Sequence, residues 1–258
     1  MSIKLEDLVI TLKKLRSPNG CDWDKAQTHK SLIPYLLEET YEVIEAIESK
    51  QFDLLKEELG DLLLHVIFQA ELASESNKFN IYDSILNINN KLINRHPHIF
   101  SDKEDKSWKQ GSWETAKKKE KNRDSILDGV PKALPSLIKA RRIQEKASGV
   151  GFDWNHIKQV YAKVDEELVE LKVEIKNKNQ TNIEQELGDL LFSIVNLSRH
   201  VNVDPELALN QATQKFITRF HKVESYLNNR NLKLEDQSLS ELDEIWSKIK
   251  LIKNSNSK

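Results

Sequence analysis

Glycine and proline are scarce, seven and six residues in a chain of 258. Together they make about 5%, where an average chain has about 12%. That shortage argues against a β-sandwich or barrel, whose many turns consume both residues. The single cysteine, Cys21, excludes an internal disulfide framework and fits a reducing compartment. It stands beside Asp22 without an activating cation, so it is not read as a nucleophile. The longest apolar run, Leu62–Leu64 and Val66–Phe68, is broken by His65 and is too short to cross a bilayer. Met1–Arg16 mixes Lys4, Glu6, Asp7, Lys13 and Lys14 among apolar residues, unlike a signal peptide. No G-x-x-x-x-G-K-[ST] occurs, which removes a P-loop, and no Ser/His/Asp arrangement stands out. An excess of one charge is missing too: 39 basic residues face 41 acidic ones, so nothing asks for nucleic acid or a basic partner. The expectation is a soluble cytoplasmic protein that engages neither nucleic acid nor membrane.

What is present is charge (31%) mixed with hydrophobic residues (38%), the composition of amphipathic helices with one solvated face. The chain also repeats itself. Glu58-Leu59-Gly60-Asp61-Leu62-Leu63 returns as Glu186-Leu187-Gly188-Asp189-Leu190-Leu191, and Glu38-Glu39-x-x-Glu42 as Glu166-Glu167-x-x-Glu170, both at an offset of 128. Gly20-Cys21-Asp22-Trp23 pairs with Gly151-Phe152-Asp153-Trp154 at 131, Lys91-x-x-x-Arg95 with Lys215-x-x-x-Arg219 at 124, and Trp113-x-x-x-Lys117 with Trp246-x-x-x-Lys250 at 133. Five elements in one order, with offsets drifting by loop lengths, mark two copies of one module. The expected division is Met1–Lys121, a linker Asn122–Leu134, and Pro135–Lys258, with a helix resuming at Pro135. Each copy reads as several helices, and Val201–Val203 is the only kind of short run that resembles a strand. The fold class is all-α.

On a wheel of about 100° per residue, Leu36, Val43, Ile44 and Ile47 form a stripe expected to be buried, with Glu39 and Glu42 at its edge. Leu59, Leu62, Leu63 and Val66 form the stripe of the next helix, flanked by Glu58 and Asp61. Packed antiparallel, the two helices bring four carboxylates to one rim. Two carboxylates about 6 Å apart repel by roughly 3 kcal/mol at an effective dielectric of 20, so four call for cations. Hard divalent ions with oxygen ligands answer that need, and Mg²⁺ also binds substrate phosphates. Gly60 and Gly188 are expected to allow close helix approach. Glutamate pairs on helices are mostly a solvated face; a second pair with the same edge placement, and duplication of the whole set, count against that here. A di-iron bundle would need E-x-x-H on the ligand helices, where this chain has Glu58-x-x-Asp61 and Glu186-x-x-Asp189.

The segments Leu-Glu-Glu-Thr-Tyr-Glu (residues 37–42) and Glu-Leu-Gly-Asp-Leu-Leu resemble the MazG nucleoside triphosphate pyrophosphohydrolases in their two-module form. So do Asn19–Asp24, Arg95–Phe100 and Val150–Trp154. The resemblance implies tandem helical-bundle modules, a homodimer, and Mg²⁺-dependent hydrolysis of nucleoside triphosphates to monophosphate and pyrophosphate, serving the nucleotide pool. Carried over by position, Glu167, Glu170, Glu186 and Asp189 hold metal in the second module, as do Glu39, Glu42, Glu58 and Asp61 in the first. Glu166 is the candidate to accept the water's proton. Lys163, Glu166, Glu167, Asp189, Lys215, Arg219, Trp246 and Lys250 line the nucleotide site, joined by Asn182 and Gln185. Lys91 and Arg95 are phosphate contacts of the first module. Trp246 is expected to stack on the base with loose selectivity. The modules differ: Tyr35 stands where the second has Lys163, Gln185 where the first has Glu57, and Asn182 where the family pattern has lysine. The second module is therefore the expected catalyst. Plainer readings stay open: surface charge for Lys215 and Arg219, core packing for Trp246, and a loop role for His96 and His98. The alternative to an enzyme is a non-catalytic helical module that binds nucleotide or metal.

Overall fold

The computed structural model describes residues 4–100 and 124–255. The chain divides into two compact units, Met1–Ser107 and Trp108–Lys258, and Trp113 and Lys117 lie outside the described residues. The first unit holds α1 (Leu5–Arg16), α2 (Asp22–Ala26), α3 (Ile33–Ser49), α4 (Phe52–Glu75), α5 (Ile81–Arg95) and α6 (Pro97–Phe100). The second holds α7 (Ser136–Ser148), α8 (Ile157–Asn177), α9 (Gln180–His200), α10 (Pro205–Asn228), a 3₁₀ turn at Leu234–Asp236, and α11 (Leu239–Ser255). No strand occurs among the described residues, and Val201–Val203 is a helix end and turn. No described helix is long and apolar enough to cross a membrane.

The repeat is written into the backbone. The α3–α4 and α8–α9 hairpins turn at Lys50 and Lys178, which sit in the left-handed region at φ 58° and 56°. Each amide bonds back to the last helical carbonyls, Ala46 and Ile47 in one copy and Glu174 and Ile175 in the other. Glycine or asparagine usually fills such a cap; here lysine does so twice, 128 residues apart. The next helices start at Phe52 and Gln180, again at 128, but α4 runs 24 residues and α9 runs 21. That lowers the offset to 125, and a connection one residue shorter brings α5 and α10 to 124. The following helices are capped alike: Asn80 Oδ1 accepts from the amides of Tyr82 (2.8 Å) and Asp83 (3.3 Å), and Asp204 Oδ1 from Glu206 and Leu207 (both 3.0 Å). Each cap satisfies amides that have no partner within the helix.

In the first unit the core lies where α1 crosses α4: Val9, Leu12, Ile67, Phe68, Ala70 and Leu72, closed by Leu32 and Ile81. Arg16 fastens that contact, its Nε and Nη2 lying 2.6 and 2.7 Å from the two oxygens of Glu75, with its guanidinium over the Phe68 ring. In the second unit α7 takes the comparable place on α9. Arg141 bridges to Asp204, the cap of α10. The buried Lys146 donates to Ile126 O at 2.9 Å, anchoring to this unit part of the stretch expected as a linker. A separate core joins α10 to α11 through Val223, Leu227 and Ile245.

Two expectations need correction. A methyl group placed on Gly60 or Gly188 would meet nothing within 4 Å, so within the chain neither glycine serves a close approach. Half of the expected buried stripe is also open. Leu36, Val43, Ile44 and Leu62 are half-buried, but Ile47, Leu59, Leu63 and Val66 are exposed. α1, with Ile81 of α5, covers the hairpin where the core forms, and Ile47, Leu59, Leu63 and Val66 lie outside that cover. The same row is open in the second unit, so Leu59, Leu63, Val66, Leu187, Leu191 and Ile194 all expose between 42% and 49% of their surface.

The glycines of the two Gly-x-Asp-Trp elements do different work. Gly151 has φ 89°, a conformation that side chains disfavour. At Gly20 a Cβ would lie 2.0 Å from Leu15 O. Gly20→Ala is therefore expected to lower stability by about 1–3 kcal/mol, as overpacking does, read from the urea midpoint. An unchanged midpoint would show that the turn yields freely.

Candidate active site

The hairpin turns fix what the helices carry. With α8 and α9 antiparallel, Glu167 and Glu170 on one meet Glu186 and Asp189 on the other. Glu167, Glu186 and Asp189 each offer an oxygen such that all lie within 4.8 Å of one another, as do Glu166, Glu167 and Glu170. Glu167 is buried at 5% exposure. Desolvation, then the negative charge of Glu170, Glu167, Asp189 and Glu174, raises the Glu186 pKa above its ordinary value. Carboxylates so placed favour a hard cation over solvent, so these residues could hold a metal ion.

The nearest cation is Lys163, one turn before Glu167 on α8. Its Nζ lies 2.6 Å from Glu167 Oε1 and 2.9 Å from Glu166 Oε1, and those bonds hold the ammonium well above its ordinary pKa. The first unit repeats the carboxylates without the ammonium. Glu39, Glu42 and Glu58 satisfy the same proximity. Burial, then Asp61 and Glu42, raise the Glu39 pKa. Tyr35 takes the place of Lys163 and stacks on His65, with centroids 6.4 Å apart. His65 Nε2 lies 4.0 Å from Glu39 Oε1, and burial lowers the imidazole's pKa against the pull of Asp61. A neutral ring thus faces Glu39 where Glu167 has a bound ammonium.

A cavity of about 800 Å³ opens beside the second cluster, and Lys163, Glu167 and Asp189 line it. Of the other expected site residues, Glu166, Glu170 and Glu186 belong to the same cluster, but Asn182, Gln185, Lys215, Arg219, Trp246 and Lys250 do not line this cavity. Asn182 Nδ2 donates to Glu174 at 3.0 Å instead. Trp246 is half-buried on the α10–α11 core, 5.1 Å from the Phe216 ring and under the Arg219 guanidinium. Lys91 and Arg95 are half-buried on α5, and the nearby His96 Nδ1 lies 2.7 Å from Leu92 O.

The model of the MazG nucleotide pyrophosphohydrolase domain matches residues 27–100 and 156–224, the two stretches that carry these hairpins. The chain belongs to the MazG family. It is 52% identical to the nucleoside triphosphate pyrophosphohydrolase/pyrophosphatase MazG of Thermotoga maritima over 248 residues, 96% of each chain. Identity to the nucleoside triphosphate pyrophosphohydrolase of Escherichia coli K12 is 42% over 255 residues, 96% of this chain and 97% of that one. It is also 42% identical to YabN of Bacillus subtilis over 244 residues, half the length of that protein.

Membership does not by itself point to the remaining walls of the cavity, and neither did residue spacing. They come from the Phe152–Trp154 turn, from Ile143, Gln144 and Ala147 on α7, and from Phe192, Ser193, Asn196 and Arg199 on α9. The legible signal was the second Gly-x-Asp-Trp element, which marked the turn but not what it encloses. Asp153 fastens that turn to α9, accepting from Arg199 Nη2 at 2.6 Å and lying 3.1 Å from His200 Nε2. Burial pushes its carboxyl up, but the bonds from Arg199 and Ser148 and the Arg199 charge outweigh this, holding it far below its ordinary 3.8.

A carboxylate with a lowered pKa contributes stability above the unfolded value and loses it as pH falls through the folded one. Asp153→Asn is thus expected to cost about 2 kcal/mol at neutral pH. The gap to the parent should shrink steadily below about pH 4. A gap constant from neutral to strongly acid pH, measured by urea unfolding, would contradict this role.

Proposed function

We propose that the chain hydrolyses nucleoside triphosphates to the monophosphate and pyrophosphate, with Mg²⁺ bound by Glu167, Glu170, Glu186 and Asp189. The observation that carries this reading is the meeting of the buried Glu167 with Glu186 and Asp189 on one side and with Glu166 and Glu170 on the other, beside a cavity that Glu167, Asp189 and Lys163 line. The donor set suits the ion: every ligand is a hard carboxylate oxygen, without histidine or cysteine. When bound, the ion supplies Lewis-acid chemistry, lowering the pKa of coordinated water and offsetting phosphate charge.

The protein's own groups do the rest. Lys163 spans Glu166 and Glu167. As phosphate enters, its ammonium passes from Glu166 to a phosphate oxygen, which leaves the exposed Glu166 able to accept a proton. Water then bonds to a phosphorus of the α–β linkage, the bond from that phosphorus to the bridging oxygen breaks, and the electron pair leaves on the bridging oxygen with the half not attacked, giving monophosphate and pyrophosphate, while the proton passes to Glu166. Lys215, Arg219 and Lys250 are proposed as further phosphate contacts, with Asn182 and Gln185 as weaker ones. The first unit holds an ion through Glu39, Glu42, Glu58 and Asp61, with Lys91 and Arg95 nearby in sequence. It lacks the Lys163 ammonium and is not the main catalyst. The balanced charge leaves no role for nucleic acid or membrane, and the setting is the cytoplasm.

Pyrophosphate and orthophosphate released from each triphosphate with Mg²⁺ are measured separately. Pyrophosphate is expected, abolished by chelation and reduced by roughly a hundredfold or more in Glu167→Ala and Glu186→Ala, with a much smaller loss in Glu39→Ala. Equal losses would overturn the asymmetry. Orthophosphate as first product would overturn the reaction, and binding without turnover would favour a non-catalytic module.

The reading includes a homodimer. Apolar rows repeated in both units, with side chains about half exposed, are open apolar surface of the kind that marks an interaction face, and a second copy offers the matching rows. Light scattering is expected to give twice the chain mass, with Leu191→Asp shifting the protein toward monomer. A monomeric parent at micromolar concentration would exclude this.

A further inference from the structure

The proposed reaction makes no use of His65, yet the fold aims this ring at the carboxylates of the first unit. His65, on α4, is 8% exposed. Its Nδ1 is enclosed and has no hydrogen-bond partner among the described residues. Its Nε2 faces Glu39 Oε1 at 4.0 Å, too far for a hydrogen bond. A buried polar side chain left in this way points to a ligand.

Zinc binds an imidazole nitrogen at about 2.0–2.1 Å and a carboxylate oxygen at about 2.0–2.2 Å, so two ligands of one such ion stand no more than about 4 Å apart. The gap between Glu39 and His65 has the width of one bound ion. Glu39 also belongs to the set of Glu39, Glu42 and Glu58, whose oxygens lie within 4.8 Å of one another. Asp61 stands four residues before His65 on α4, the helical spacing that turns two side chains to one side. The ring is held as well. Tyr35 stacks on it with the planes 12° apart, and Trp23 meets Tyr35 edge-on with centroids 5.8 Å apart. An imidazole locked by packing is oriented before any ligand arrives.

The second unit differs at the same two places. At the offset of 128, Lys163 takes the position of Tyr35 and Ser193 that of His65. The Lys163 ammonium lies 2.6 Å from Glu167, and the Ser193 hydroxyl donates to Leu190 O at 2.8 Å. The carboxylates of the second unit thus meet an ammonium at one position and no nitrogen ligand at the other. Those of the first meet a nitrogen ligand and, at the position of Tyr35, no ammonium. An ammonium competes with a metal ion for carboxylate oxygens, whereas an imidazole nitrogen joins them. Oxygen ligands alone suit Mg²⁺, and imidazole shifts a site toward zinc-class ions.

We infer that His65 Nε2 is a metal ligand, which makes the acidic edge of the first unit a mixed nitrogen–oxygen site selecting a zinc-class divalent ion over Mg²⁺. The inference rests on the ion proposed for the first unit and not on the proposed reaction. Bridging Glu39 of α3 to His65 of α4, the ion ties the two helices together, so its binding stabilises the fold.

The test uses the full chain stripped of metal, with Glu167→Gln and Glu186→Gln to silence the second unit and Cys21→Ser to remove the exposed thiol. Calorimetric titration with Zn²⁺ and with Mg²⁺ reads the two affinities. Zn²⁺ is expected to bind more tightly than Mg²⁺ and to raise the melting temperature. Losing even an outer partner of a metal ligand costs about 10–100-fold in affinity. His65→Gln, similar in size but without the ring nitrogen, is therefore expected to weaken Zn²⁺ by about tenfold or more, with little change for Mg²⁺. A second measurement leaves the first unit unaltered: in long-range proton–nitrogen NMR the His65 Nε2 resonance is expected to shift with Zn²⁺ and to stay in place with Mg²⁺. An unchanged ratio of the two affinities in His65→Gln, or an Nε2 resonance that ignores Zn²⁺, would overturn the inference. Binding of neither ion would overturn the ion of the first unit and the inference with it, while pyrophosphate release by the parent decides the reaction separately.

Discussion

Carboxylate repulsion is the constraint that organises this protein. Two antiparallel helices in each unit hold four acidic side chains at one rim, and in the second unit one of them, Glu167, is buried. Such a group is costly unless positive charge is near. The second unit supplies a lysine one turn away and opens a cavity beside it. The first supplies only a histidine that burial keeps toward its neutral form, and lets aromatic rings occupy the matching space. One repeated pattern of charge is thus met in two ways, by an ammonium beside a cavity in the second unit and by aromatic rings in the first.

The same hairpins carry a second tension. Their acidic edge requires solvent, ion or substrate, while their apolar rows remain half-exposed in both units. Within one unit a hairpin can be covered on one flank by the preceding helix, α1 or α7, and that coverage builds the core of the first unit and the floor of the cavity of the second. Burial of apolar surface scales with area, so these half-exposed leucine, valine and isoleucine rows are apolar surface that the described residues of their own unit leave open.

Much of the candidate site was legible because helical geometry is local. A period of 3.6 residues places Glu39 with Glu42, and Glu186 with Asp189, on shared edges whatever lies around them. The duplicated order of motifs tied the two helices of each pair together, and the family resemblance followed from the same letters. The substitution of Tyr35 for the counterpart of Lys163 was equally visible, since it needs only an alignment of the repeats. The buried stripe was misjudged in part, because periodicity tells which residues share a face and not whether a neighbour covers that face. Gly60 and Gly188 were misread for the same reason: a glycine in a helix signals a close approach only when something approaches.

The amino-acid sequence alone determined the all-α class, the duplication, the carboxylate edges and the inequality of the two modules, since each depends on contacts within a few residues or on comparison of the chain with itself. Tertiary structure decided the cavity. Its walls come from separated segments, Leu127, α7, the Gly151–Trp154 turn, α8 and α9, and only their packing shows Gln144 held by Phe192 and Asp153 by Arg199. It also parted Trp246 and Lys250 from that cavity. Which distant side chains share one small volume is set by how helices pack, and helical periodicity carries no record of it.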